Sequence, residues 1–139
     1  MPTDLFLVDT SVWIMALRKD FQPAAKDRME YLLIENRVAI CDIIRLEILG
    51  GARTEKEFHM LKSRLDSLHQ LETMWNDACE LAFTLRRKGV VVPYTDILIA
   101  SSALYAGTTL LHFDRHFDLI AGITDLIVES FPAPPKLTA

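Results

Sequence analysis

Short apolar segments alternate with helical segments along almost the whole chain, and this alternation restricts the fold more than any other feature of the sequence. Four runs are too short for amphipathic helices, namely residues 5–8, 38–41, 109–111 and 126–128. Between them lie stretches with apolar residues at three- and four-residue spacing, which is typical of helices that bury one face. Because buried strands that alternate with helices form a covered parallel sheet, we expect an α/β fold with a short parallel sheet flanked by helices on both faces.

Residues that begin and end helices punctuate the segments between these strands. We expect helices at about residues 23–36, 43–49, 54–68, 76–88 and 96–106, and another after the polar triplet at 9–11. Asp42 and Thr95 are the expected N-caps of two of them, because their side-chain oxygens can accept hydrogen bonds from the first turn. Glycines end several of these helices. The chain length predicts a single domain over 1–139, in which the proline-containing segment 131–139 is an extended tail.

Composition limits the class of protein without identifying it. No apolar run reaches the roughly 18 residues of a membrane span, and no basic flank of the kind found in signal peptides precedes residue 5. Cys41 and Cys79 are isolated in apolar surroundings, so we expect two buried free thiols in a reducing cytoplasm. Trp13 and Trp75 are expected in the core. The net charge of −4 argues against a broadly basic coat for nucleic acid, although a cation bound to clustered carboxylates would offset it.

Four acidic residues follow strands or stand near helix starts. Asp9 comes directly after the first predicted strand, and Asp114 follows the third after two intervening residues. Asp96 lies in the first turn of a predicted helix, and Glu47 is on the helix that leaves the second strand. Each acid alone is explained equally well as a residue that caps a helix. Ligands bind beyond the carboxyl ends of the strands in such sheets, so four acids in these places favour one shared site.

Converging carboxylates have a specific chemical consequence. They repel one another, so some would take up protons unless a cation neutralises them. Oxygen ligands alone suit Mg²⁺ or Mn²⁺ better than zinc. Such an ion activates water and stabilises the charge that develops on a phosphodiester during cleavage. Ser11 is a candidate for orienting a water molecule or a phosphate, and a hydrogen bond to the first helical turn explains it equally well.

Four segments of the chain resemble the acidic motifs of PIN domains, especially those of VapC-type toxins of bacterial toxin–antitoxin pairs. The segments are, in order, LFLVDTSVWI, RLEILGGAR, PYTDILIASSALYAG and LLHFDRHFDLIA. Each motif is modest alone, but their order and spacing match the family from residue 6 to about residue 128. The match aligns the family's acids with Asp9, Glu47, Asp96 and Asp114.

The resemblance implies a PIN-like three-layer α/β/α fold and a Mg²⁺-dependent endoribonuclease, with Mn²⁺ as the alternative ion. It implies that Asp9, Asp96 and Asp114 bind the metal and that Glu47 is a catalytic acid that binds it directly or through water. The implied substrate is structured RNA, such as transfer or ribosomal RNA, cut by metal-activated water. The implied partners are a cognate antitoxin in the active-site groove and a second copy of the chain, whose interface is the alternative place for Trp13 and Trp75. An idle RNA- or antitoxin-binding module is the non-enzymatic alternative.

The last motif departs from the family at two positions. His112 stands where a hydroxyl residue is common, and His116 stands where a further acid is common, so no metal role is carried over to either. Arg115 and His116 remain candidates for positioning substrate or water. A zinc site formed by His112 and His116 is disfavoured, because that spacing requires one continuous helix and His112 belongs to a strand end. Asp118 is expected to cap or solvate the following helix, with an outer role at the site as the alternative.

Two other enzyme classes also begin with an apolar strand that ends at an aspartate. Phosphatases of the haloacid-dehalogenase type need a second acid two residues later, where this chain has Ser11. Response-regulator receivers need an acid pair near the first strand, and Asp4 stands at the wrong end of it. Both classes are therefore disfavoured.

Overall fold

A five-stranded parallel sheet forms the centre of the structure, a computed structural model that describes residues 4–17 and 23–131. The strand order is β3-β2-β1-β4-β5, and each neighbouring pair is parallel. The strands are β1 (Phe6–Val8), β2 (Val38–Cys41), β3 (His69–Leu71), β4 (Thr109–His112) and β5 (Ile127–Ser130). The prediction of a short parallel sheet is confirmed.

Helices cover both faces of this sheet. They are α1 (Thr10–Leu17), α2 (Pro23–Ile34), α3 (Asp42–Gly50), α4 (Glu55–Asp66), α5 (Trp75–Arg87), α6 (Tyr94–Ala106) and α7 (Arg115–Ala121). Leu7 and Leu110 pack in a core shared with α3, α5, α6 and α7, while Phe6, Val8 and Leu111 pack against α1 and α2. Successive residues of a strand therefore serve opposite cores, and the three-layer α/β/α prediction is confirmed.

Strand β3 escaped the sequence analysis. It consists of a histidine, a glutamine and a leucine at the edge of the sheet, paired only with β2 among the described strands. Its residues are half-buried or exposed, so selection for an apolar run does not operate there. The central strands β1 and β2 are buried at every position, which is why their apolar runs identified them.

Both predicted N-caps are wrong. Helix α3 is capped by Cys41 and begins at Asp42, whose carboxylate instead accepts a hydrogen bond from the Thr73 hydroxyl at 2.8 Å. Helix α6 is capped by Pro93 and begins one residue before Thr95. The fixed φ of proline, here −59°, suits that position.

Two predictions of burial also fail. Cys41 is buried, but Cys79 is exposed on α5. Trp75, at the start of the same helix, is 63% exposed, whereas Trp13 is half-buried. The apolar surroundings of Cys79 and Trp75 in sequence do not form part of the core, because this side of α5 faces outward.

The ends of the chain are described only in part. Residues 132–139, which make up most of the predicted tail, lie outside the described residues, as do the first three. Phe131 is described, and its ring lies 5.1 Å from that of Phe113. Within the described part, no helix combines the length and the apolar character that crossing a membrane requires.

Candidate active site

The strand order brings the ends of β1 and β4 together. Chain connections leave β1 towards β2 on one side, while β4 lies on the other side, so a crevice opens beyond the carboxyl ends of these strands. Asp9 follows β1, and its backbone N–H donates to the Leu111 carbonyl of β4 at 2.9 Å. Asp114 lies two residues beyond β4. Two of the four predicted acids therefore stand at the same edge of the sheet.

Asp9 is nearly enclosed and is held by Ser11. Its side chain is in a residue only 7% exposed, and its Oδ2 accepts hydrogen bonds from the Ser11 hydroxyl at 2.6 Å and the Ser11 N–H at 3.3 Å. Burial raises the pKa of Asp9, and the two bonds from Ser11 partly oppose that rise. The hydroxyl of Ser11 thus orients the carboxylate of Asp9.

Glu47 reaches the same region from α3. The buried Thr10 hydroxyl donates to Glu47 Oε1 at 3.2 Å. Burial raises the pKa of Glu47, the bond from Thr10 lowers it, and the negative charges of Asp9 and Asp96 raise it further. Thr10 is a positioning residue that the sequence analysis missed, although it stands between Asp9 and Ser11.

Asp96 and Asp114 meet at the ring of His116. Asp114 caps α7, since its Oδ1 accepts from the His116 N–H at 2.9 Å. The His116 Nδ1 lies 3.0 Å from Asp96 Oδ2 and 3.2 Å from Asp114 Oδ1. Burial raises the pKa of Asp96, the hydrogen bond with His116 lowers it, and the charges of Asp114 and Asp9 raise it.

These electrostatic effects link the four acids, although within the described ranges only Asp96, Asp114 and His116 have ligand atoms close enough to share one ion. Asp96 senses the charges of Asp9 and Asp114, and Glu47 senses those of Asp9 and Asp96. The carboxyls of Asp9, Glu47 and Asp96 all have raised pKa values, so the protein holds them in a place where negative charge is unfavourable. A divalent cation reverses that cost, and carboxylate oxygens are the donors that Mg²⁺ and Mn²⁺ accept. The donor set fits such an ion.

His112 plays a different part from the one that its spacing to His116 suggests. It is fully buried, and its Nδ1 accepts the Asp114 backbone N–H at 3.0 Å. The ring proton therefore lies on Nε2, which is 3.1 Å from Asp118 Oδ1. Asp118 thus contacts the histidine that holds the Asp114 loop.

The one group of residues in the described ranges that is spaced to hold a metal consists of Asp96, Asp114 and His116, whose ligating atoms lie within 4.8 Å of one another. His112 is not in it, so the disfavoured zinc pair is not formed. The sequence predicts His116 as a residue that positions substrate or water, whereas its ring lies between Asp96 and Asp114. Arg115 is exposed at the start of α7, next to Asp114.

Comparison with known proteins identifies the family to which a chain with this site belongs. A family model described as the PIN domain matches residues 6–123. The chain is 33% identical over 127 residues to ribonuclease VapC18 of Mycobacterium tuberculosis, covering 86% of this chain and 90% of that protein. It is 35% identical over 133 residues to ribonuclease VapC11 of the same species, covering 91% of this chain and 99% of that protein.

Solved structures support the fold. The chain superposes on DNA-bound VapBC of Salmonella typhimurium with a TM-score of 0.74 at 22% identity, covering 94% of this chain and 98% of that one. For VapBC2 of Rickettsia felis bound to a promoter DNA fragment, the TM-score is 0.73 at 23% identity, covering 92% and 99%. At this level of identity the likeness concerns the fold alone.

Proposed function

This chain belongs to the PIN-domain family and to the relatives of the VapC ribonucleases, and we propose that it is a divalent-cation-dependent endoribonuclease acting as the toxin of a type II toxin–antitoxin pair. The observation that carries the proposal is the set of four acids beyond the carboxyl ends of β1 and β4. Burial raises the pKa values of Asp9, Glu47 and Asp96, and neighbouring carboxylates raise those of Glu47 and Asp96 further. A binding module without catalytic activity has no need to keep buried, mutually repelling carboxylates, which lower the stability of the fold at neutral pH.

In this proposal, Asp9, Asp96 and Asp114 hold the cation, Mg²⁺ or Mn²⁺, and Glu47 binds it directly or through water. A cation bound there activates water and stabilises the charge on the phosphodiester that is cut. Ser11 holds Asp9 and Thr10 holds Glu47 through the hydrogen bonds described above. Arg115, exposed beside Asp114, is placed to contact an RNA phosphate.

The proposed substrate is RNA, since relatives of this chain are named ribonucleases. Structured RNA, either transfer or ribosomal RNA, is the more specific expectation that follows from the resemblance to VapC-type toxins. Incubation of the purified protein with RNA should give discrete cleavage with Mg²⁺ or Mn²⁺ and none after chelation with EDTA. Sequencing the RNA ends formed on brief induction in cells would identify the substrate and the bond. Cleavage that survives exhaustive chelation would contradict the metal mechanism.

The proposed partner is a small antitoxin protein that occupies an apolar groove of about 290 Å³, lined by residues of α1, α2, α3 and α4 and of the turn after α4. Helices α1 and α3, which carry Thr10 and Glu47, form two of its walls. Its apolar lining comprises Trp13, Leu33, Ile48, Leu61, Leu65 and Leu68. Co-expression of the protein encoded beside this chain should relieve toxicity in the cytoplasm. Unrelieved toxicity, or growth unaffected by this chain alone, would count against a toxin.

A further inference from the structure

The ring of His116 faces two carboxylates with one nitrogen. Its Nδ1 is 3.0 Å from Asp96 Oδ2 and 3.2 Å from Asp114 Oδ1. A ring nitrogen offers one proton or one lone pair, so it makes one well-aligned hydrogen bond and not two. One hydrogen bond therefore explains the position of only one of the two carboxylates. All three residues are half-buried rather than exposed.

The same distances suit three ligands of one ion. Metal–ligand bonds of about 2.1 Å place neighbouring ligand atoms roughly 3 Å apart in an octahedral site and slightly farther apart in a tetrahedral one. The separations from Nδ1 to the two oxygens have this size. Two carboxylate oxygens and one imidazole nitrogen can thus share a cation with little rearrangement.

The backbone around His116 is already fixed for this role. The His116 N–H donates to Asp114 Oδ1 at 2.9 Å, which ties the first turn of α7 to the carboxylate. The Asp114 N–H in turn donates to the buried His112 ring at 3.0 Å. His116 and Asp114 are therefore presented together before any ion binds.

We infer that His116 is a nitrogen ligand of the cation, and that it makes this site select first-row transition-metal dications over Mg²⁺. The inference rests on the proposed function for the location of the site. Imidazole binds transition metals well, whereas Mg²⁺ favours oxygen ligands. An oxygen-only site at the same place would lose that selectivity.

A competing role for His116 makes an opposite prediction. If the ring only neutralises Asp96 and Asp114 as a cation, it competes with a metal ion for the same carboxylates. Removing it would then raise the affinity for every divalent cation alike. A ligand, by contrast, contributes more to the binding of Co²⁺ and Mn²⁺ than to that of Mg²⁺.

Isothermal titration of metal-free protein with Co²⁺, Mn²⁺ and Mg²⁺, without RNA, separates the two roles. The variants are His116→Asp, which restores an oxygen ligand, and His116→Ala, with His59→Ala on the exposed side of α4 as the control. For His116→Asp we expect the ratio of Co²⁺ to Mg²⁺ affinity to fall by about tenfold or more. The Mg²⁺ affinity itself should hold or rise, which a misfolded variant cannot produce. His59→Ala should keep the wild-type ratio.

Two results would overturn the inference: an unchanged Co²⁺ to Mg²⁺ ratio in His116→Asp, or stronger binding of all three ions in His116→Ala. The visible absorption of bound Co²⁺ gives a second measure, and it should change in both variants. RNA cleavage distinguishes this inference from the proposed function. RNA cleavage together with an unchanged Co²⁺ to Mg²⁺ ratio would support the ribonuclease and exclude the nitrogen ligand. Selective Co²⁺ binding that depends on His116, without RNA cleavage, would support the nitrogen ligand and contradict the ribonuclease.

Discussion

At the scale of single residues, the acids of this site are placed against their own electrostatic preference. Asp96 illustrates this, because burial and the charges of Asp114 and Asp9 all raise its pKa, and only His116 opposes them, through its hydrogen bond and its charge. A carboxyl whose folded pKa is raised stabilises the fold below its unfolded pKa, near 3.9 for aspartate, and that contribution is lost as pH rises through the folded pKa. At neutral pH these ionised carboxylates therefore lower the stability of the metal-free protein.

Replacing Asp96 with asparagine removes one of these charges at nearly constant volume. In EDTA at neutral pH, Asp96→Asn should melt a few degrees above wild type if about 1 kcal/mol of repulsion is relieved. The gap should narrow as the pH falls towards 4, where the wild-type carboxyls take up protons. With saturating divalent cation it should shrink or reverse, because wild type binds the ion more tightly in the folded state. Equal destabilisation by Asp96→Asn in both buffers would contradict the metal cluster.

The two cysteines differ in burial, although both have apolar neighbours in the sequence. Burial raises the pKa of the Cys41 thiol to about 11, while Cys79 is exposed. Since the thiolate is the reactive form, a thiol reagent at pH 8 should label one cysteine per folded chain, and peptide mapping should find it at Cys79. Cys79→Ser should abolish labelling until denaturant is added. Rapid labelling of Cys41 in the folded protein would contradict the burial of its thiol.

At the scale of helices and strands, the sequence is most informative where a segment is buried on both sides. Strands β1, β2 and β4 were predictable because their runs are apolar, and the acids after β1 and β4 were identified by the strands before them. The edge strand β3 was not, because its residues are partly solvated. The position of the His116 ring was also unpredictable, since it depends on how α6 and α7 meet.

Two threonines at helix starts allow a matched test of which helix start belongs to the active site. Thr54 caps α4 by accepting the Glu57 N–H at 3.0 Å, whereas Thr10 donates to Glu47 at the site. Thr54→Val should lower stability by about 1 kcal/mol and leave RNA cleavage by the folded protein unchanged. Thr10→Val should lower the cleavage rate by about tenfold or more, because Glu47 loses its orientation. Equal rates for the two variants would remove Thr10 from the site.

At the scale of the whole molecule, four distant segments supply one cluster. Asp9, Glu47, Asp96 and Asp114 belong to different connections of the sheet, and parallel strands bring those connections to one edge. The order of the motifs along the chain made the family recognisable from sequence. Partners are harder to predict, since they depend on which apolar residues remain on the surface after folding.

The outward side of α5, the segment after it and the start of α6 form an apolar surface that we propose as a homodimer interface. Trp75, Phe83, Val91 and Tyr94 are all more than 60% exposed there, at 63%, 65%, 72% and 70%. Light scattering at micromolar concentration should give a dimer mass for wild type and a monomer mass for Trp75→Glu, because a buried unpaired charge opposes association. Ile34→Glu, at an exposed position on α2, is the control and should stay dimeric. A monomeric wild type would exclude this assembly.

Single-turnover RNA cleavage by matched variants tests most directly whether the acids of this site cut RNA with a bound divalent cation. Asp9→Asn removes a charged ligand from the cluster, and Asp27→Asn makes the same change at an exposed position on α2. With Mg²⁺ or Mn²⁺ present, Asp9→Asn should lower the rate by orders of magnitude, because a neutral amide replaces a charged ligand poorly. Asp27→Asn should match wild type, and EDTA should stop all three proteins. Undiminished cleavage by folded Asp9→Asn would contradict the account.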